Sequence, residues 1–215
     1  MLDAARVFPW VHTWHGRDKS DLIKTLRSLD ASDLAGKYSV MCQPKSEHRD
    51  DFYLRVLRQI CDDPLYDYML RLEDDVVVNR HVLHNACKWR ATKHPKFGAG
   101  WLSVTNGLLE DSVNCRRLDG FMVREFPECH FAGGVLMSTA VLRDVFADME
   151  SRLRAGGDQF APGCSVSRAV WKRGLRVFFH EPSIVKIDMS VPAYHPIRAN
   201  QKDFWRQPFD PAWRA

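Results

Sequence analysis

The chain has 215 residues, 45% hydrophobic and 27% charged, a composition that suits a folded domain and excludes a disordered or collagen-like chain. Lysine and arginine number 31 against 27 acidic residues, and the resulting charge of +4 is too small to bind nucleic acid by charge alone. No stretch approaches the roughly 18 apolar residues of a membrane helix, and Met1-Leu-Asp-Ala-Ala-Arg6 lacks the basic and apolar regions of a secretory signal, so the expectation is a cytoplasmic protein without a membrane partner.

In chain order, Val7 to Trp14 is rich in β-branched and aromatic residues and predicts a buried strand. Asp18 or Ser20 caps a helix on which Leu22, Ile23, Leu26 and Leu29 recur with helical period. Tyr38 to Cys42 predicts a second strand. Arg49 to Ile60 sets Tyr53, Val56, Leu57 and Ile60 on one helical face before Asp62-Asp63-Pro64 ends the helix. Tyr66 to Leu72 is a third strand that stops at acids. After Asn79, a helix over His81 to Arg90 and a strand over Phe97 to Val104 follow.

Strands alternating with helices predict an α/β fold with a mainly parallel central sheet. Thr105 to Gly120 is polar and irregular, and is expected as a long surface loop. Phe131 to Met137 predicts a strand, Ser138 or Thr139 a cap for the helix carrying Val141, Leu142, Val145, Phe146 and Met149, and Cys164 to Arg173 a short helix closed by Gly174. Leu175 to Phe179 is the last predicted strand. Residues 1–190 are expected to form one domain, and 191–215 an aromatic and basic tail. Six cysteines lie 14 to 35 residues apart with no C-x-x-C pair, so they are expected as reduced thiols rather than a zinc site.

The chemistry concentrates at Glu73-Asp74-Asp75. Three consecutive carboxylates at the end of a strand repel one another unless a cation neutralises them, and strand carboxyl ends are where open α/β sheets bind ligands. A divalent ion there can also hold a diphosphate.

On this motif the chain resembles the nucleotide-sugar glycosyltransferases of the GT-A fold, whose shared mark is an acidic D-x-D-type motif, often E-D-D, after an apolar strand. The resemblance takes in Trp10-Val11-His12-Thr13, the helix ending in Leu26-Arg27-Ser28-Leu29, His130 to Ser138, Gly157-Asp158, Gly174 to Val177 and Glu181 to Val185. It implies a GT-A domain that moves a sugar from a nucleoside diphosphate donor, expected to be UDP-linked, to an acceptor hydroxyl.

The resemblance also implies roles by position. Trp10, His12, Thr13 and Arg17 would hold the nucleoside, with core packing as the other reading of Trp10. Asp75 would ligate Mn²⁺ or Mg²⁺, Glu73 directly or through water, and Asp74 would bond the ribose or sugar. Gly133-Gly134 would let backbone approach the donor or acceptor, or else form a bulge or tight bend. Asp158 stands where related inverting enzymes keep the base that deprotonates the acceptor, or is a helix-start acid. A histidine that many relatives carry after the last strand is absent from Pro182 to Asp188, so Asp188 or His195 would take its place on the metal.

Two other readings stand beside this one. A nucleotidyltransferase of similar fold would need a Gly-rich phosphate loop, and the turn His15-Gly16-Arg17-Asp18-Lys19 has a single glycine. A non-catalytic nucleotide-sugar-binding module would be favoured by loss of the acids. The acceptor is expected to be a small sugar, a protein or a hydroxymethylated DNA base. The tail, with Arg198, Lys202 and Arg206 among Tyr194, Phe204, Trp205 and Phe209, suits either docking on the core or stacking on bases.

Overall fold

β1 (Val7–Trp14) lies between two apolar layers because its side chains alternate across the sheet. Trp10 belongs to the core on one face and Val11 to the core on the other. Met69 and Leu70 divide in the same way, as do Leu136 and Met137. The computed structural model describes residues 1–104, 115–119, 121–124, 133–155, 162–188 and 209–215.

After β1 the chain runs through α1 (Lys19–Asp30), β2 (Ser39–Gln43), α2 (Arg49–Asp62) and β3 (Tyr68–Glu73). The Asp18 carboxylate caps α1 by accepting from the Ser20 amide at 2.7 Å. β4 (Val76–Val78), α3 (Val82–Lys88), a 3-10 turn at Arg90–Lys93 and β5 (Phe97–Trp101) follow. Then come β6 (Cys115–Leu118), β7 (Phe121–Arg124), β8 (Gly134–Ser138), α4 (Thr139–Arg154), α5 (Pro162–Lys172), β9 (Arg176–His180) and β10 (Val185–Ile187). Ser138 caps α4 by accepting from the Val141 amide. Gly174, at φ 74°, turns the chain out of α5 into β9, where a side chain would be strained.

Among the described residues, eight strands form one mixed sheet in the order β2-β1-β3-β8-β5-β9-β7-β6. β1, β2, β3, β5, β6 and β9 share a direction, and β8 and β7 run against them. α2, α4 and α5 cover one face through Phe52, Val56, Leu57, Leu142, Val145, Met149 and Val170. α1 and α3 cover the other through Leu29, Val82, Leu83 and Ala86. This is a single α/β domain with helices on both sides of a central sheet. Each large apolar side chain fully buried in these layers stabilises the fold by roughly 1.5–3 kcal/mol.

Several elements differ from expectation. Cys115–Leu118, expected within a loop, pairs with β7 as a hairpin. Its Arg116 and Arg117 are exposed on the outermost strand, so the segment reads as polar although it is extended. The helix expected to reach Arg90 stops at Lys88, and the strand expected to reach Val104 stops at Trp101. β4 and β10 are three-residue strands that pair with each other, too short to leave a periodic signature.

Residues 105–114 and most of the tail lie outside the described residues. The end of the tail sits on the α3 side. Asn79 Nδ2 donates to the carbonyls of Asp210 (2.7 Å) and Trp213 (3.0 Å), and the Trp213 ring meets His180 edge-on at 5.4 Å.

Candidate functional site

The chain makes β1, crosses to β2 on one side, then crosses back to β3 on the other, giving the local order 2-1-3. Where successive crossovers leave in opposite directions, the carboxyl ends of the two strands open a crevice in which α/β proteins hold ligands. Here it falls between the ends of β1 and β3. His12, Thr13, Trp14 and Arg17 stand on one side, and Glu73, Asp74 and Asp75 on the other.

The three acids part company within this crevice. Asp74 is 3% exposed; its Oδ2 accepts from Thr13 Oγ1 at 2.6 Å and its Oδ1 from Arg17 Nη2 at 2.5 Å. α1 fixes the main chain there, since Thr25 Oγ1 donates to the Asp74 carbonyl (3.0 Å) and accepts from the Val76 amide (3.1 Å). Asp75 is 7% exposed, and its carbonyl accepts from the Asp188 amide at 2.7 Å, so the chain leaving β10 runs beside the motif. Glu73 turns toward the α2 side of the sheet. Its Oε1 takes a hydrogen bond from Arg71 Nη2 at 3.0 Å and its Oε2 one from the Gly133 amide at 2.9 Å.

Arg71 is a site residue that the sequence reading missed, and its only signal was a cation inside the apolar strand YMLRLE. It is buried, lies 5.2 Å over the Tyr53 ring, and also meets His12 Nδ1 at 3.3 Å. Burial alone would lower its pKa, but Tyr53 and Glu73 outweigh that and the guanidinium stays charged. An arginine only donates, so His12 Nδ1 must accept and the ring proton sits on Nε2. His12 stacks on Phe52 at 5.2 Å, and among the described residues its Nε2 has no partner. Burial, then the charges of Arg71, Arg49 and Arg17, lowers the His12 pKa to about 3, so the ring is a neutral donor at physiological pH.

The other expected residues are placed as follows. Trp10 is 0% exposed, so its indole is a core side chain, closed to a nucleobase. Gly133, at φ 110°, brings its amide to Glu73, and Gly134 lies where a Cβ would meet Leu72 at 3.1 Å and Val185 at 3.2 Å. The close approach at this pair is thus to the protein's own β10 and β3. Asp158 and His195 lie outside the described residues. Among the described residues no three His, Cys, Asp or Glu side chains converge as a metal cage. Mg²⁺ usually takes one or two carboxylates plus substrate phosphates, so Asp75 with a bound diphosphate still fits the chemistry of such an ion.

The fold is that of an α/β protein whose first topological switch falls at the carboxyl ends of β1 and β3. No family model matches the chain, and no curated protein matches it. Among solved structures it is similar to a glycosyltransferase involved in the glycosylation of the major capsid of PBCV-1, at 16% identity over 81% of this chain and 82% of that chain, with a TM-score of 0.45. It is similar also to A197 from STIV, at 13% identity over 83% of each chain, with a TM-score of 0.47.

Proposed function

We propose that the protein is a GT-A-type glycosyltransferase that takes a sugar from a nucleoside diphosphate donor, UDP-linked, and passes it to an acceptor hydroxyl. The observation that carries this reading is the E-D-D motif at the carboxyl end of β3, facing the end of β1 across the crevice. In this reading Asp74 holds the Arg17 turn in place for the donor.

Glu73 is held by Arg71 and Gly133, and in this reading Asp75, the last acid of the motif, is the carboxylate that would hold Mn²⁺ or Mg²⁺. The ion would neutralise charge on the departing diphosphate. In the transfer, the bond from the anomeric carbon to the acceptor oxygen forms while the bond to the diphosphate breaks, and UDP leaves with that electron pair. The proton of the acceptor goes to a carboxylate base, for which Asp158 is the candidate.

Calorimetric titration with UDP tests the reading. Binding should strengthen on adding Mn²⁺, and Asp75→Asn should weaken it at least about tenfold in the presence of Mn²⁺. A panel of nucleotide sugars should then show slow donor hydrolysis releasing UDP. Release of pyrophosphate from a nucleoside triphosphate would point instead to nucleotidyl transfer. Equal affinity with and without Mn²⁺ would remove the metal role, and no UDP binding at all would remove the donor. Digestion of glycosylated product to nucleosides distinguishes a hydroxymethylated DNA acceptor from a sugar or protein one.

A further inference from the structure

The two walls of the crevice are joined by one buried cation. Arg71 is 8% exposed on β3, two residues before Glu73, where its strand neighbours Met69, Leu70 and Leu72 are core. A guanidinium in such a place carries a desolvation cost that only good partners offset. The ring of Tyr53 on α2 covers it at 5.2 Å. Its Nη2 carries two hydrogens, and each serves a different wall. One reaches across to β1 and His12 Nδ1 at 3.3 Å, the other along β3 to Glu73 Oε1 at 3.0 Å.

Glu73 carries the linkage on to β8. Its Oε2 accepts from the Gly133 amide at 2.9 Å, and its own amide donates to the Gly133 carbonyl at 2.9 Å, so the two residues are bonded reciprocally. Gly133 is held at φ 110°, a conformation in which any side chain is strained, and the carboxylate meets the amide that this backbone presents. The next carbonyl, of Gly134, accepts from the Leu102 amide at 3.0 Å, just beyond β5. A line of hydrogen bonds therefore runs from His12 through Arg71 and Glu73 to Gly133, and the peptide link to Gly134 extends it to the end of β5. Stability does not account for this arrangement, since a buried ion pair rarely outdoes apolar side chains of similar size. What it supplies is geometry. One rigid fork sets how the end of β1, the end of β3 and the start of β8 stand relative to one another.

We infer that Arg71 is a positioning residue of the nucleotide site. It touches no ligand. It holds His12 in one ring orientation and tautomer and holds Glu73 on Gly133, and so fixes both walls of the crevice. The inference rests on the nucleotide-sugar reading above and adds to it the residue that shapes the site.

The test uses the full chain and two readouts. Long-range proton–nitrogen correlation NMR reads the His12 tautomer, and calorimetry reads the affinity for UDP with and without Mn²⁺. Wild type should show His12 as one tautomer, protonated on Nε2. Arg71→Met alone would leave Glu73 without its cation, so the comparison is made in the double variant Arg71→Met with Glu73→Gln, which strands no charge. That variant should melt close to wild type, show both His12 tautomers, and bind UDP about tenfold or more weakly whether or not Mn²⁺ is present. Arg71→Lys keeps the charge without the fork and should show the same loss of affinity. The inference is overturned if the double variant binds UDP as wild type does, if His12 keeps its single tautomer there, or if Arg71→Lys retains full affinity. A loss confined to Mn²⁺ also overturns it, because Glu73 would then act as a metal ligand. Should the double variant not fold, Arg71→Lys carries the comparison by the same criterion. A wild-type protein that binds no UDP overturns the nucleotide reading, whereas the His12 tautomer, read without ligand, still shows whether Arg71 holds the wall.

Discussion

Asp74 gives both carboxylate oxygens to the protein, one to Thr13 and one to Arg17. Removing one partner of a buried pair costs more than the pair is worth, because the other partner stays behind without compensation. The Arg17 side chain keeps 17% exposure and can relax partly into water, which moderates the loss. Asp74→Ala should therefore destabilise the fold by about 2–4 kcal/mol in urea unfolding, through loss of both Thr13 and Arg17. Asp75→Asn should act on ligand binding in the presence of Mn²⁺. Should Asp74→Ala unfold like wild type, the crevice is not buckled by this residue and the division of roles within the motif is wrong.

α1 holds the main chain of the acidic motif through the Thr25 hydroxyl. Thr25 Oγ1 donates to the Asp74 carbonyl and accepts from the Val76 amide, so a helix three elements upstream sets the main chain of the acidic motif. Thr25→Val keeps the shape and leaves two buried main-chain groups without a partner, each costing about 1–3 kcal/mol. The expected outcome is a loss of about 2 kcal/mol or more, together with weaker UDP binding, read by thermal melts and calorimetry. Stability lost with binding unchanged would separate α1 from the site. α1 itself was legible, since Asp18 and the spacing of Leu22, Leu26 and Leu29 are local signals, and β1 was legible down to its bounds. The position of Glu73 to Asp75 at a strand end was legible for the same reason. What joins these elements was not. Whether Trp10 faces a ligand or the core depends on the packing of α2. The pairing of Arg71 with Glu73 and His12 needs β1 and β3 to be neighbours, a fact of topology that single-strand patterns do not contain. β4 and β10 exist through each other and through the chain that crosses the motif, so neither carried a signal of its own.

At the scale of the molecule, the two apolar layers enclose imidazoles that water would otherwise protonate. His180 is 1% exposed and lies against Trp89 at 5.0 Å and Trp213 at 5.4 Å, joining β9 to the 3-10 turn and to the end of the chain. Burial, opposed by hydrogen bonds to the Pro182 and Asn85 main chain, lowers its pKa to about 4. His12, on the far side of the sheet, is lowered to about 3, again chiefly by burial. The ordinary histidine value is about 6.5. Between these values the unfolded chain binds protons that the folded one refuses, so stability must fall as pH drops through about 6.5 and go on falling toward about 4. Carboxylates held low by arginine, such as Glu47 beside Arg55, act in the same direction but only at lower pH, near their own titration. The two contributions are therefore separable. Urea unfolding at about pH 7 and about pH 5 should show a clear loss for wild type, with His180 contributing up to about 1.4 kcal/mol for each pH unit in the window. His180→Asn keeps a donor toward the Pro182 carbonyl, cannot titrate there, and gives up ring packing. It should be less stable than wild type at about pH 7 yet lose less on going to about pH 5. An equal loss in the two proteins would show that the imidazole is solvated in the folded state, and that the seam between β9 and the chain end is open to water.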